Sequence, residues 1–463
     1  MTATGPDTVQ TAALADPVRA RRAKPSLKRR AVQSSSWKLA GYGVSELLRL
    51  GSHLVLARLL FPEAFGLVAI IGVLKQGLNM FSDFGLKPAV IRDPDGARPR
   101  FVRTAWTLQV ARGLVIYLGC LLMAWPMALV FDAPALVYLI PVAALSAVLA
   151  GFKSMSPALY TRRLAAGKPV VLMLISQVVA TVVVVGWALV WPSVWALIVG
   201  GLASSACTLA LSYYWLHGPR LRLQIDRKYL GSIFHFSKWI FFASIIGFIA
   251  AKFDRAYIGA VMDMGTLGVY HIAAMLALAP AQAADRIPLM PILSRAFHEQ
   301  PERIGHIYAR LRLARDTIFL TGYGALVMLG PWIVQLLLDE RYHDAGWMLQ
   351  LLAVKGAIIC MVKPSSACLT ASGRPIYGTI ARALTLIAVC GGLPLGWYLA
   401  GLTGVIWAIA LVDLPAAVLC FTALHYHRYG KALAELTGIA FFGVGVALGW
   451  MAIAAAGAIL AGN

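Results

Sequence analysis

Apolar stretches recur along nearly the whole chain, with short polar turns between them. Each is about 20 residues or longer, enough for a helix to cross a hydrocarbon core roughly 30 Å thick. The pattern therefore predicts an all-α, polytopic membrane protein with about thirteen transmembrane helices. The predicted spans are 37–60, 64–86, 104–131, 135–156, 169–191, 193–216, 231–259, 267–293, 307–337, 345–370, 376–399, 402–425 and 433–461.

The composition excludes a water-soluble protein. Of the 463 residues, 60% are hydrophobic and 13% are charged, against roughly 45–50% and about 25% in soluble domains. The largest links between predicted spans, 87–103 and 217–230, are too short to hold a separate soluble domain. The bilayer is therefore the solvent in which the chain is expected to fold.

The first 36 residues differ from the rest of the chain. They are polar, become basic between Arg19 and Arg30, and lack the apolar segment of a cleaved signal peptide. This composition predicts a disordered cytoplasmic tail over 1–36 that contacts anionic lipid headgroups, in preference to nucleic acid.

Lys and Arg are concentrated in every second turn between the predicted spans, whereas the other turns contain almost only Arg341. Because positive charge resists translocation, the basic turns are predicted to face the cytoplasm. The chain is expected in the cell inner membrane with its N-terminus in the cytoplasm, and this asymmetry explains most of its formal charge of +21. An odd number of spans places Asn463 on the outer side, unless the segment 431–463 forms a hairpin.

A short internal repeat divides the chain into halves. The segment Phe65-Gly66-Leu67, after the first predicted helix, aligns with Leu267-Gly268-Val269, after the seventh. This repeat predicts two six-helix lobes, over 37–217 and 231–427, related by a pseudo-two-fold axis along the membrane normal. The segment 431–463 is predicted to add one transmembrane segment.

No metal site, disulfide or cofactor is predicted. The six cysteines all lie inside apolar runs, without Cys-x-x-Cys spacing, and are interpreted as small core residues. His425 and His427 lie in a short basic turn and are not expected to bind metal. The chain has no phosphate-cradling loop of the P-loop type, so nucleotide hydrolysis is not expected.

Several charged residues fall inside the predicted spans, where each costs roughly 2.5–3.5 kcal/mol at the bilayer centre. A handful of them facing lipid would cost more than a typical net stability of about 5–15 kcal/mol. They are therefore predicted to face a wet cavity or each other. The cations are Arg49, Lys75, Arg112, Lys252, Arg255, Arg286, Lys355 and Lys363, and the carboxylates are Glu46, Asp83, Asp254, Asp285 and Asp413.

Helical spacing places several of these charges beside polar residues. Arg49 shares a face of the first predicted helix with serine and histidine side chains, and Lys75 shares a face of the second with Asn79. Lys355 and Lys363 share a face of the tenth. The polar residues predicted to line the cavity are Ser45, Ser52, His53, Asn79, Ser82 and Ser244.

The embedded set contains more cations than carboxylates, which predicts a cavity of positive potential that prefers an anion such as a diphosphate. A cavity for cationic drugs would be acidic. Structural ion pairing is an equally open interpretation for Glu46 with Arg49 and for Asp285 with Arg286. Arg112 lies near a cytoplasmic helix end, where snorkelling also explains it.

The embedded carboxylates are candidates for coupling to a proton or sodium gradient, because such a group can change its protonation between two access states. Asp83, Asp254 and Asp413 are the main candidates, and Glu46 and Asp285 complete the set. Structural pairing with nearby cations is the commoner role of such residues.

The segments Leu56–Leu67 and Phe81–Leu86 resemble the polysaccharide-transporter branch of the multidrug/oligosaccharidyl-lipid/polysaccharide exporter superfamily. The resemblance implies a V-shaped, two-lobed flippase for undecaprenyl-diphosphate-linked oligosaccharides in O-antigen, capsule or exopolysaccharide assembly. It also implies a cavity cation on the first helix at Arg49, and one on the seventh at Lys252 or Arg255. The commonest pattern in the family has fourteen helices, one more than predicted here.

Three alternatives stay open. A flippase for the lipid-linked peptidoglycan precursor shares the same chemistry, and a cation-coupled multidrug exporter shares the same superfamily. A membrane enzyme, such as a sugar polymerase or ligase, is disfavoured because the largest outer turn, near 339–346, is short. The expected partners are a lipid-linked anionic oligosaccharide, membrane lipids, a polysaccharide polymerase and glycosyltransferases, with no nucleic acid.

Overall fold

A computed structural model of the protein describes residues 27–81, 86–226, 229, 247–299, 301–429 and 432–461. Within these ranges the regular structure is helical and contains no strand, which confirms the all-α prediction. The helices are α1 (Leu27–Leu59), α2 (Pro62–Phe81), α3 (Leu86–Arg92), α4 (Pro99–Val130), α5 (Leu136–Phe152), α6 (Ser156–Arg162), α7 (Gly167–Val190), α8 (Val194–Tyr214), α9 (247–261), α10 (Met264–Ala284), α11 (Leu289–Glu299), α12 (Ile304–Leu337), α13 (Ala345–Ala371), α14 (Ile376–Leu411), α15 (Leu414–Tyr426) and α16 (Ala432–Ala461).

Where the structure describes them, the predicted spans lie mainly on helices, but 135–156 and 267–293 each contain a break, at 153–155 and 285–288. Most of the span 231–259 lies outside the described residues. Helix α1 begins at Leu27 and so extends into the segment that the sequence assigned to the tail. Residues 27–36 contain no Gly or Pro that would stop the helix there. Helix α14 is broken at Ala400 and Gly401, where φ is 56° at the glycine, and the sequence predicted a turn between two spans at this point.

Length and apolar composition alone identify eight described helices that can cross a membrane, or nine if the bent pair of α5 and α6 is one span. This count is lower than thirteen partly because most of the predicted span 231–259 lies outside the described residues, and partly for physical reasons. Helix α1 carries Glu46, Arg49 and Arg58, and α5 has only 17 residues. One of the eight, Ile376–Tyr426, has 51 residues and would be about 76 Å long as a straight helix, so its break at Ala400 and Gly401 divides it into two crossings.

The last segment is one continuous helix, α16, packed closely against α12. A Cβ atom added at Gly445 would lie 2.0 Å from the Thr321 carbonyl oxygen, and one added at Gly324 would lie 2.1 Å from the Phe442 oxygen. The two backbones therefore touch at small residues, as is common where membrane helices associate. This contact attaches α16 to the second half of the chain.

Substitution of Gly445 by alanine is expected to loosen this contact and lower the apparent melting temperature of the purified protein. The added methyl group clashes with backbone that cannot rotate away, and overpacking of this kind costs roughly 1–3 kcal/mol. The matched control is Gly443→Ala, because a Cβ at Gly443 meets nothing within 4 Å. Equal melting temperatures for the two variants would contradict the contact.

The two lobes consist of α1–α8 (the N lobe) and α9–α15 (the C lobe), and they meet at the repeated glycines. A Cβ at Gly66 would lie 2.0 Å from the Met264 carbonyl oxygen, and a Cβ at Gly268 would lie 1.8 Å from the Pro62 oxygen. Each copy of the repeat thus contacts the segment preceding the other, the reciprocal arrangement of a two-fold interface. The largest apolar core continues through both lobes at this interface.

Further hydrogen bonds close the same end of the molecule. The Tyr342 hydroxyl, in the turn between α12 and α13, donates to the Leu60 carbonyl oxygen at 3.1 Å. Arg58, near the end of α1, donates to the Leu337 and Leu336 carbonyl oxygens at 3.0 and 2.9 Å. We call this set of contacts, with the Gly66 and Gly268 contact, the closed end.

Candidate functional site

A cluster of charged and polar side chains lies where α1 of the N lobe meets α10 of the C lobe. Arg49 donates through Nη2 to Glu46 on its own helix and to Gln282 Oε1 on α10, the latter at 3.1 Å. The Arg49 side chain is 37% exposed, so it pairs with Glu46 while still reaching open space. Ser52, predicted to line the cavity, donates its hydroxyl to the Arg49 carbonyl oxygen instead.

Helix α9 supplies a second set of charges around the buried Asp254. This carboxylate accepts hydrogen bonds from the Tyr270 hydroxyl and, at 2.8 Å, from the Arg255 backbone N–H. The Arg255 guanidinium lies 4.0 Å from it, and Lys355 of α13 is close enough for its charge to act on it. One carboxylate is thus surrounded by cations, which leaves this set positive.

Two histidines connect these sets. His53 of α1 is close enough to Arg49 and Glu46 for their charges to act on it. His271 of α10 lies within the same range of Arg255, Lys252 and His53. Residues from α1, α9, α10 and α13 therefore form one site, which we call the central cluster: Arg49, His53, Lys252, Arg255, His271 and Lys355, with the carboxylates Glu46 and Asp254.

The central cluster retains unused hydrogen-bonding capacity. Buried polar groups in proteins nearly always have a partner. In the described part of the chain, four buried nitrogens of the cluster have none: Arg49 Nε, His53 Nδ1, Arg255 Nε and His271 Nδ1. The cluster has four cations against two carboxylates, and both of its arginines have an unused donor, so it is an environment suited to an anion.

Lys75, Asn79 and Arg112 instead make their described contacts inside the N lobe. Lys75 donates to the Ser146 hydroxyl on α5. The Asn79 amide donates to the Lys75 carbonyl oxygen at 2.8 Å, and Arg112 donates to the Asn79 carbonyl oxygen at 2.7 Å. Arg49 of α1 therefore contacts the C lobe, whereas Lys75 of α2 contacts its own lobe.

The remaining candidates are distributed over the C lobe. Asp285 pairs with Lys363 at 2.9 Å rather than with Arg286, which lies over the Tyr42 ring, 4.1 Å from its centroid. Asp413 accepts a hydrogen bond from Thr385 at 3.1 Å. Ser45 is partly buried on α1. Ser82, Asp83 and Ser244 lie outside the described residues.

The sequence reasoning missed Tyr270, His271 and Gln282. All three lie in the apolar run of α10, where single polar residues give no periodic signal. Tyr270 and His271 come two and three positions after Gly268 of the repeat. Their closeness in sequence to this glycine could have indicated that they lie near the interface between the lobes. Among the described residues no group of His, Cys, Asp or Glu could hold a metal ion.

Substitution of Tyr270 by phenylalanine is expected to lower the melting temperature by removing a hydrogen bond from the buried Asp254. An unsatisfied buried group costs about 1–3 kcal/mol. In a double-mutant cycle with Asp254→Asn, the combined loss should be smaller than the sum of the single losses. Additive losses would show that the two side chains do not interact.

Comparison with known proteins identifies relatives over most of the chain. A family model described as "Polysaccharide biosynthesis protein" matches residues 55–346. The lipopolysaccharide biosynthesis protein WzxC of Escherichia coli (strain K12) is 22% identical over 406 residues, which cover 86% of this chain and 81% of the relative. The succinoglycan biosynthesis transport protein ExoT of Rhizobium meliloti (strain 1021) is 26% identical over 312 residues, 66% of this chain and 62% of the relative.

Two solved structures share the fold. The inward closed conformation of the lipid II flippase MurJ superposes with a TM-score of 0.70 at 11% identity, over 86% of this chain and 89% of that one. An inward-facing multidrug resistance transporter of the MATE family superposes with a TM-score of 0.64 at 15% identity, over 83% and 94%. Both similarities concern the fold alone.

Proposed function

Because this chain belongs to the polysaccharide biosynthesis protein family, we propose that it flips undecaprenyl-diphosphate-linked oligosaccharide repeat units across the cell inner membrane. The chain is a multi-pass membrane transporter of polysaccharide precursors, as its relatives and apolar helices indicate. The proposal adds the substrate, the direction from cytoplasmic to periplasmic leaflet, and the use in O-antigen, capsule or exopolysaccharide assembly.

The observation that carries the proposal is the central cluster. A diphosphate is a compact anion with several acceptor oxygens, and arginine binds such groups through charge-assisted hydrogen bonds. Arg49 of the N lobe and Arg255 of the C lobe each have a buried Nε without a partner. A diphosphate held between them would contact both lobes at once, so that its binding responds to their relative position.

The transport step follows from the two lobes. Contacts at the closed end join the lobes there, and transport requires those contacts to break while the lobes approach at the opposite end. The diphosphate stays on the central cluster during this exchange, and the sugar crosses through the wet space beside it. The lipid chain remains in the bilayer, because its transfer into a polar cavity would be unfavourable.

The distribution of Lys and Arg supports a cytoplasmic N-terminus. In this orientation the closed end, at the turn after α1, faces the periplasm. The described lobe arrangement would then admit substrate from the cytoplasm, where lipid-linked sugars carrying a diphosphate would be loaded. A polymerase and glycosyltransferases are proposed as functional partners on the two sides.

We also propose that a proton or sodium gradient drives the exchange. Asp413 is the stronger candidate for coupling, because its described contact is a neutral threonine hydroxyl. Asp254, in contrast, is held by Tyr270 and surrounded by cations. Asp413→Asn and collapse of the proton and sodium gradients should each reduce export. Normal export with collapsed gradients would contradict coupling, and normal export by Asp413→Asn alone would contradict the role of Asp413.

The direct test is deletion of the gene followed by mass spectrometry of undecaprenyl-diphosphate sugars and an assay of the leaflet that contains them. The expected result is accumulation of a completed repeat unit on the cytoplasmic face. Normal crossing with unpolymerised repeats outside would place the protein later in assembly and contradict the proposal. Rescue of cells depleted of their peptidoglycan-precursor flippase would instead favour that substrate.

A further inference from the structure

Arg315 of α12 is a buried cation without a carboxylate partner in the described part of the chain. The residue is 3% exposed, and its guanidinium donates to the Cys360 carbonyl oxygen and lies 6.0 Å from the centroid of the Phe319 ring. Its Nε atom is buried and has no hydrogen-bond partner. Asp316, the next residue, pairs with Arg312 instead, at 3.0 Å. Because an unpaired buried charge is costly, this guanidinium is suited to a ligand that brings a negative charge.

Arg315 lines a cavity of about 370 Å³ in the C lobe, within the range of ligand pockets. The cavity lies among the end of α10, the turn 285–288, α11, α12 and α13, and its lining residues all lie in the described ranges. The other charged residues of the lining are Lys363 and Asp285, which pair at 2.9 Å. Their side chains are 53% and 38% exposed, so this pair borders the opening, whereas Arg315 lies at the inner wall. We call this space the C-lobe cavity, and its lining has one cation more than it has carboxylates.

The C-lobe cavity lies at the end of the molecule opposite the closed end. Helix α10 begins at Met264, whose carbonyl oxygen faces Gly66 at the closed end, and it ends at Ala284 beside the cavity. Its 21 residues span about 30 Å, which is the thickness of a hydrocarbon core. In the proposed orientation the cavity is therefore at the level of the cytoplasmic lipid headgroups.

Helix α11, one wall of the cavity, has the character of a helix that lies in the membrane interface. Leu289, Leu293 and Ala296 are buried, whereas the apolar side chains of Met290 and Ile292 are 40% and 39% exposed. An amphipathic helix of this kind places its exposed apolar residues among the acyl chains. Met290 also lines the cavity, so a lipid headgroup in the cavity would have its acyl chains beside α11.

We propose that the C-lobe cavity binds the phosphate of an anionic phospholipid of the cytoplasmic leaflet, such as phosphatidylglycerol. The phosphate oxygens accept hydrogen bonds from Arg315 and Lys363, and the acyl chains stay in the bilayer along α11. Lys363 can contact the phosphate without leaving Asp285, because an ammonium has three donors. The site goes beyond the proposed function, since it joins the C lobe to one leaflet through a bound lipid that is not transported.

Charge balance favours a phosphodiester over the diphosphate of the proposed substrate. A phosphodiester carries a single negative charge, which matches the excess of one cation in the cavity lining. A diphosphate carries more negative charge and would leave part of it unpaired beside Asp285, at low dielectric. The central cluster, with four cations against two carboxylates, has the larger excess that suits a diphosphate.

The test is native mass spectrometry of the full-length protein in detergent, titrated with phosphatidylglycerol and, separately, with phosphatidylcholine. The first phosphatidylglycerol should bind at least about fivefold more tightly than the first phosphatidylcholine, whose choline group cancels the phosphate charge. Lys363→Gln should weaken phosphatidylglycerol binding at least about fivefold, because it removes a charge-assisted contact, and Lys363→Arg should retain it. Equal affinities of the Lys363→Gln and unaltered proteins, or no preference for phosphatidylglycerol, would overturn the proposal.

Two further variants separate a lipid site from a structural ion pair and from general charge. Asp285→Asn should tighten phosphatidylglycerol binding about fivefold, because it removes the carboxylate beside the phosphate. Arg341→Gln is the matched control, since Arg341 pairs with Asp339 at the closed end, also at 2.9 Å, and its loss should leave the affinity within about twofold. Weaker binding by Asp285→Asn, or an equal loss in Arg341→Gln and Lys363→Gln, would contradict a phosphate held between Arg315 and Lys363.

A last titration identifies the source of the phosphate. Undecaprenyl diphosphate and inorganic phosphate are offered to a protein in which Arg49→Gln, Lys252→Gln and Arg255→Gln disable the central cluster. Phosphatidylglycerol should bind this protein more tightly than either. Tighter binding of undecaprenyl diphosphate that Lys363→Gln abolishes would assign the cavity to the substrate, and full competition by inorganic phosphate would assign it to a soluble anion. Neither result depends on export, so the deletion experiment tests the proposed function independently.

Discussion

Cells in which Arg49 and Arg255 are both replaced by glutamine are expected to export at least about 100-fold less polysaccharide than cells with the unaltered protein. Each arginine has an unpartnered buried Nε at the lobe interface. A hydrogen bond to a charged group is worth about 1.5–3 kcal/mol, or roughly tenfold or more per contact, and the two contacts come from different lobes. The measurement is polysaccharide export at matched protein levels in the membrane.

A structural role for Arg49 makes a different prediction, which a further variant can test. If Arg49 only neutralises Glu46, then Glu46→Gln should restore export to the Arg49→Gln protein, because no half-buried carboxylate would remain unpaired. If Arg49 binds the diphosphate, Glu46→Gln should not restore it. Arg295→Gln, at an exposed pair on α11, is the control and should export normally.

The pattern of apolar residues was sufficient to predict the helices but not their rotation. Hydrophobic length located the spans, and the turn predicted between 399 and 402 is the break at Ala400 and Gly401. Spacing placed Arg49 and Lys75 on polar faces, yet the structure directs Arg49 to α10 and Lys75 to α5. A polar face shows that a helix borders something other than lipid, but the neighbouring helix is set by tertiary packing.

Only part of the central cluster could be predicted from the sequence. A charged residue inside an apolar run is conspicuous because its burial is costly, so Arg49, Lys252, Arg255 and Lys355 could be identified individually. Tyr and His are tolerated in such runs, and His271 therefore carried no comparable signal.

The internal repeat extends beyond the glycine segments by which it was identified. Those segments predicted two lobes, and the structure shows that Gly66 and Gly268 lie at the contact between them. The same repeat extends to α3 and α11, where Leu86, Pro88 and Arg92 have the same spacing as Leu289, Pro291 and Arg295.

Substitution of Gly268 by valine is expected to prevent the described lobe arrangement and abolish export. A Cβ at this position would lie 1.8 Å from the Pro62 carbonyl oxygen, which is backbone and cannot move aside as a side chain can. A penalty of about 3 kcal/mol or more would change the ratio of two lobe arrangements by more than about 100-fold. Transport that requires both arrangements would then stop, although the protein should still insert into the membrane.

The change of arrangement can be measured separately from export through a cysteine introduced at Ala64. This residue is 8% exposed at the closed end, so its thiol should be shielded from a membrane-impermeant maleimide in the unaltered arrangement. Gly268→Val should increase labelling, because the lobes can no longer meet there. Gly72→Val is the matched control, since a Cβ at Gly72 meets nothing within 4 Å. Unchanged labelling and export in Gly268→Val would show that alternating access does not depend on the glycine contact. A contact that tolerates a valine at this distance would not hold the lobes together.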